Sequence, residues 1–136
     1  AVRVGAARPA SADVDPMPRV LVIEDIDDNA ELFELVLTAR GYEVMRASDG
    51  ETGLQMALDL KPDLVLLDLG LPDIDGQTVA SQMRRTPELA STPIVVVTAW
   101  PEDTAQKMVE VYGCNGYISK PINVALFVDQ VASFLR

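Results

Sequence analysis

Leu64-Val65-Leu66-Leu67 is an unbroken apolar run that ends in a charge, Asp68, and a turn, Leu69-Gly70-Leu71-Pro72-Asp73. Four apolar residues in a row offer no polar side. A strand built from them must be covered on both faces, as inside a parallel sheet. Ile94-Val95-Val96-Val97 repeats the pattern, with Thr98 at its end. In an open sheet of this kind the carboxyl ends of the strands form the ligand crevice, so Asp68 is expected at its mouth.

The rest of the chain supplies the covering layers. Strands are read at 19–23, 42–47, 64–67, 94–97 and 116–119, and helices at 28–40, 50–60, 77–85, 101–112 and 123–135. Asp27 or Asp28 is the expected N-cap of the first helix and Gly41 its C′, with Phe33, Val36 and Leu37 on the buried face. Right-handed crossovers then predict an α/β, flavodoxin-like, doubly wound five-stranded parallel sheet of order 2-1-3-4-5 with five helices. Residues 1 to 16 lack helical or strand period and read as an N-terminal tail or linker, with Met17 as a possible native start and the folded domain over 17 to 136.

At 136 residues the chain is expected to form one domain. Its net charge is −10, and Arg3 and Arg8 cancel Asp13 and Asp15, so the folded part carries the whole deficit. Such a surface repels nucleic acid and anionic membrane. No apolar run approaches the roughly 18 residues of a membrane span, and no signal-peptide core is evident. A single cysteine, Cys114, fits a reducing cytoplasm and reads as packing in the turn before the last strand. Histidine is absent, which excludes histidine metal ligands, Ser-His and Cys-His nucleophiles, and a phosphohistidine donor.

In the 2-1-3-4-5 order, Glu24 and Asp25 at the end of the first strand converge with Asp68. Three carboxylates in one crevice repel unless a cation intervenes. Mg2+ suits them, because it accepts a few carboxylates, keeps waters and takes phosphate oxygens. Asp27 and Asp28 are assigned instead to the positive end of the helix dipole. Thr98 and Lys120 close the fourth and fifth strands. Metal, hydroxyl and ammonium around one carboxylate form a set for phosphoryl transfer onto Asp68.

The motifs Val22-Ile23-Glu24-Asp25, Leu66-Leu67-Asp68-Leu69-Gly70-Leu71-Pro72, Val96-Val97-Thr98-Ala99 and Tyr117-Ile118-Ser119-Lys120-Pro121 resemble receiver domains of bacterial two-component response regulators. The separations of 43 residues from Asp25 to Asp68, 30 on to Thr98 and 22 on to Lys120 fit that family as well. The resemblance covers 18 to 136. It implies that Asp68 takes a phosphoryl group from a histidine kinase or a histidine phosphotransfer protein. Asp25 and Asp68 would bind the ion with the Gly70 carbonyl, and Glu24 mainly through water. It further implies a cis Lys120-Pro121 bond and a switch in which Thr98 moves and Tyr117 rotates inward. The surface of the fourth helix, fifth strand and fifth helix then relays the change to an effector or a tethered output domain. The resemblance also implies that Gly70 and Trp100 stand at the positions that tune phosphoryl lifetime in receivers.

On this reading the chain is a regulator that promotes its own modification, not a turnover enzyme. The alternatives are a receiver excised from a larger hybrid kinase or multidomain regulator and, more remotely, a Mg2+-dependent phosphatase with an aspartyl nucleophile. The second acid such phosphatases carry is Gly70 here. Oligomeric state is left open, since the fourth helix lacks a dense basic-acidic pattern.

Overall fold

Five short strands, apolar at nearly every central position, lie side by side in the computed structural model, which describes residues 7–9, 12–13 and 17–135. They are β1 (Arg19–Ile23), β2 (Glu43–Ala47), β3 (Leu64–Asp68), β4 (Ile94–Thr98) and β5 (Gly116–Ser119). All pair in parallel, in the order β2-β1-β3-β4-β5. The helices are α1 (Asp27–Thr38), α2 (Gly50–Leu60), α3 (Gly76–Arg85), α4 (Glu102–Tyr112) and α5 (Val124–Phe134). The expected α/β fold and strand order hold.

Alternation along each strand sorts the core into two layers, because successive side chains leave the sheet on opposite faces. Val20, Val22, Leu64, Leu66, Val95 and Val97 pack with Phe33 and Leu37 of α1 and Phe127 and Val131 of α5. Phe33 and Phe127 stack with ring centroids 5.2 Å apart, joining the two helices. Leu21, Ile23, Val65 and Leu67 point the other way, against Ala57 of α2 and Val79 and Met83 of α3. Arg84 fastens α3 to the segments that lead into β4 and β5. Its guanidinium donates to the carbonyls of Leu89 (3.2 Å), Thr92 (2.8 Å) and Gly113 (2.8 Å) and to Asn115 Oδ1 (3.0 Å).

Three expectations need correction. The N-cap of α1 is Ile26, without a side-chain cap, rather than Asp27 or Asp28. Asp27 is drawn instead to Arg46 Nη1 at 2.8 Å, and Glu24 Oε2 accepts the Ile26 N–H at 3.2 Å. Both aspartates still lie in the first turn, at the positive end of the dipole. Helix α1 also ends earlier, with Ala39 as its cap. Gly41, at φ +90°, follows two residues beyond. In the N-terminal segment, Ala7–Pro9 pairs antiparallel with Ala12–Asp13. Backbone pairing across so short a connection needs no hydrophobic period, so the sequence does not announce it. The remaining residues of that segment lie outside the described ones. Among the described residues no helix is long and apolar enough to cross a membrane.

Candidate functional site

The carboxyl ends of β1, β3, β4 and β5 meet at one rim of the sheet. Asp68 is the last residue of β3, in register with Val97, and is 9% exposed. Glu24 follows β1 and is almost fully buried at 1%. Carboxylate oxygens of Glu24, Asp25 and Asp68 all lie within 4.8 Å of one another. Lys120, just after β5, bridges two of them, with Nζ 3.2 Å from Glu24 Oε1 and 3.4 Å from Asp68 Oδ1. Its backbone N–H donates to the Thr98 carbonyl at 2.8 Å, which ties the β5 end to the β4 end. The Lys120-Pro121 peptide is cis.

Electrostatics in this cluster follow from burial. Glu24 is pushed above its ordinary value of 4.5, first by desolvation and then by the Asp68 charge, while Lys120 and the Ile26 N–H pull the other way. Asp25 Oδ1 is buried without a hydrogen-bond partner. A buried carboxylate oxygen left unpaired beside two other carboxylates is costly. This oxygen-only donor set fits a hard divalent cation.

The flanking residues take distinct places. Thr98 is buried, and its Oγ1 accepts the Trp100 N–H at 3.0 Å. Trp100 is 40% exposed. Gly70 is exposed, with its N–H 3.4 Å from Asp68 Oδ1, and a Cβ there would meet nothing within 4 Å. Tyr117 directs its hydroxyl away from the carboxylates and donates to Glu102 Oε1 at 3.1 Å. Burial and the Glu102 carboxylate hold the phenol above its ordinary value. Cys114 is half-buried among apolar neighbours, and desolvation raises its thiol.

The sequence model of the response regulator receiver domain matches residues 20–132. The chain belongs to that family. Among similar receivers and regulators is the polar-differentiation response regulator DivK of Brucella anthropi, 36% identical over 120 residues, which are 88% of this chain and 98% of that one. A solved structure from Chloroflexus aurantiacus, described as a candidate response regulator, is 36% identical with a TM-score of 0.84, covering 88% of this chain and 98% of its own. The BeF3-activated N-terminal receiver domain of Klebsiella pneumoniae RstA is 27% identical with a TM-score of 0.79, covering 87% and 98%.

Two contributors to the receiver site were not anticipated from sequence. Asp73, read there only as a turn residue, reaches from the loop after Asp68 to the start of α2. It accepts the N–H groups of Gly50 (2.8 Å) and Glu51 (2.9 Å), which lower its carboxyl from 3.8 to about 2. Arg46 grips the loop after β1. Local patterning carries no trace of either, since both contacts span about twenty residues of sequence.

Proposed function

We propose that this chain is a phosphorylation-controlled signalling switch. Asp68 accepts a phosphoryl group, in a Mg2+-dependent reaction, from a phosphohistidine on a histidine kinase or histidine phosphotransfer protein. The observation that carries this reading is Asp68 Oδ1 lying 3.4 Å from Lys120 Nζ in a three-carboxylate cluster that includes an unpartnered buried oxygen. Asp25, Asp68 and the Gly70 carbonyl would hold the ion, with Glu24 acting mainly through water. When bound, Mg2+ would offset the charge of the carboxylates and of the incoming phosphoryl oxygens.

A carboxylate oxygen of Asp68 attacks phosphorus in line, the N–P bond breaks, and the donor imidazole leaves with the bonding pair. Lys120 exchanges part of its interaction with Glu24 and Asp68 for a phosphoryl oxygen. Thr98 gives up its bond with the Trp100 N–H, and its hydroxyl donates a hydrogen bond to another phosphoryl oxygen. The added charge of about −1.5 to −2 biases the α4-β5-α5 face between two packings, with Tyr117 leaving Glu102 and turning inward. Moving that equilibrium from about 1:99 to 99:1 takes roughly 5.5 kcal/mol. The relayed signal passes to an effector protein or a tethered output domain. In this reading the chain acts in the cytoplasm, residues 1 to 16 serve as tail or linker to a receiver over 17 to 136, and it is not a turnover enzyme.

Incubation with a small acyl phosphate and Mg2+, read by intact mass, tests the reading. The parent gains one phosphoryl group and Asp68→Asn gains none. No gain in the parent would sink it. A second measurement concerns lifetime. Trp100 lies two residues beyond Thr98, where an indole can shield the acyl phosphate from water. Trp100→Ala is then expected to dephosphorylate faster than the parent, and an unchanged rate would exclude shielding.

A further inference from the structure

The Asp25 carboxylate faces two other carboxylates with one buried oxygen unpartnered. Lys120 pairs with Glu24 and Asp68, and none of the ion pairs among the described residues reaches Asp25. Arg46, on β2, makes a different kind of contact. Its Nε and Nη2 donate to the Glu24 carbonyl at 3.2 and 3.0 Å, and Nη2 also donates to the Asp25 carbonyl at 3.2 Å. Nη1 takes Asp27 Oδ1 at 2.8 Å. The Glu24 N–H donates to the carbonyl of Ala47, the next residue of β2, at 3.0 Å. Both peptide groups flanking Glu24 are therefore held from one neighbouring strand.

We infer that Arg46 is a positioning residue for the cation site, fixing the Glu24-Asp25 backbone so that the Asp25 carboxylate faces Asp68. The inference rests on the Mg2+-dependent reading above and adds the device that builds its site. An arginine paired with the Asp25 carboxylate would fill the position a cation needs. An arginine paired with the carbonyls orients the residue and leaves its oxygens free. The planar fork matters, because three donors on one rigid group reach two successive carbonyls and a carboxylate. A lysine has the charge but not the fork.

The sign of one measurement separates positioning from charge. Arg46 is a cation near a cation site, so on Coulombic grounds alone its removal tightens Mg2+ binding. Positioning requires the reverse. Titration calorimetry of the full chain with Mg2+ alone is expected to show Arg46→Ala binding about 10- to 100-fold more weakly, the range for residues that orient metal ligands. Arg46→Lys is expected to fall between, although its charge is intact.

Circular dichroism establishes that each variant is folded, and Arg46→Lys decides the matter if Arg46→Ala is not. Parent-like or tighter Mg2+ binding in the folded variants overturns the inference while leaving the phosphoacceptor reading intact. No Mg2+ binding in the parent overturns that reading, and the inference with it.

Discussion

Gly76→Ala is expected to cost about 3 kcal/mol of stability and to slow modification of Asp68 by about a hundredfold. Gly76 opens α3 and is buried directly behind Asp68. A Cβ on it would lie 2.6 Å from the Asp68 carbonyl oxygen and 2.8 Å from Leu69 Cα. Those are backbone atoms, so no side-chain rotation relieves the overlap. The Gly76 N–H also donates to the Leu69 carbonyl at 3.1 Å, which keeps the two segments together. Either α3 retreats or the end of β3 does, and the second moves Asp68 away from Lys120 and Asp25.

Alanine is the better helix former by about 1 kcal/mol, which offsets only part of that strain. Gly70, two residues after Asp68, is the internal control, because a Cβ there meets nothing within 4 Å. Gly70→Ala is expected to stay within about 0.5 kcal/mol of the parent. Urea denaturation and the rate of mass gain with an acyl phosphate report both effects. Parent-like stability and rate in Gly76→Ala would show that α3 can shift without disturbing β3.

The contrast between these glycines shows what local sequence can and cannot carry. Leu64 to Leu67 and Ile94 to Val97 announced two-sided burial by themselves, and the turn after Asp68 fixed where the strand stops. Once the sheet order followed from the crossovers, Glu24, Asp25, Asp68 and Lys120 had to meet at one rim. The helix termini were less legible. Asp49, Asp75 and Asn123 each cap a helix by accepting a backbone N–H. The equally plausible Asp27 does not, because Arg46 competes for it from 19 residues away. Asp73, Arg46 and Gly76 act through backbone groups of other elements, and their roles exist only once those elements are packed. Side-chain type and spacing therefore revealed the charged centre of the site, while the structure revealed what holds it.

That charged centre is itself a source of instability, and Lys120→Met should expose it. The substitution keeps an unbranched stem and removes the ammonium that touches Glu24 and Asp68. Breaking a buried pair by deleting one partner costs about 3–5 kcal/mol. Lys120 is 19% exposed and Glu24 can relax by taking up a proton, so a loss of about 3 kcal/mol is expected at pH 8. The pH dependence identifies the cause. With its carboxyl raised above 4.5, Glu24 binds more protons in the folded chain than in the unfolded one. Its favourable contribution is thus complete below 4.5 and is lost as pH climbs through the raised value. Asp73 works in the opposite sense, contributing above 3.8 and losing its contribution as pH falls toward about 2. The two windows do not overlap.

In metal-free buffer the parent should therefore lose stability from Glu24 as pH rises above 4.5, and Glu24→Gln should flatten that limb without touching the acid limb. The Lys120→Met loss should be smaller at pH 5 than at pH 8. An equal loss at both would assign it to packing of the lysine stem rather than to charge. Adding Mg2+ at pH 8 to 100 times its Kd should restore about 2.7 kcal/mol to the parent. The same crowded carboxylates that weaken the metal-free fold would then, as ligands, stabilise it.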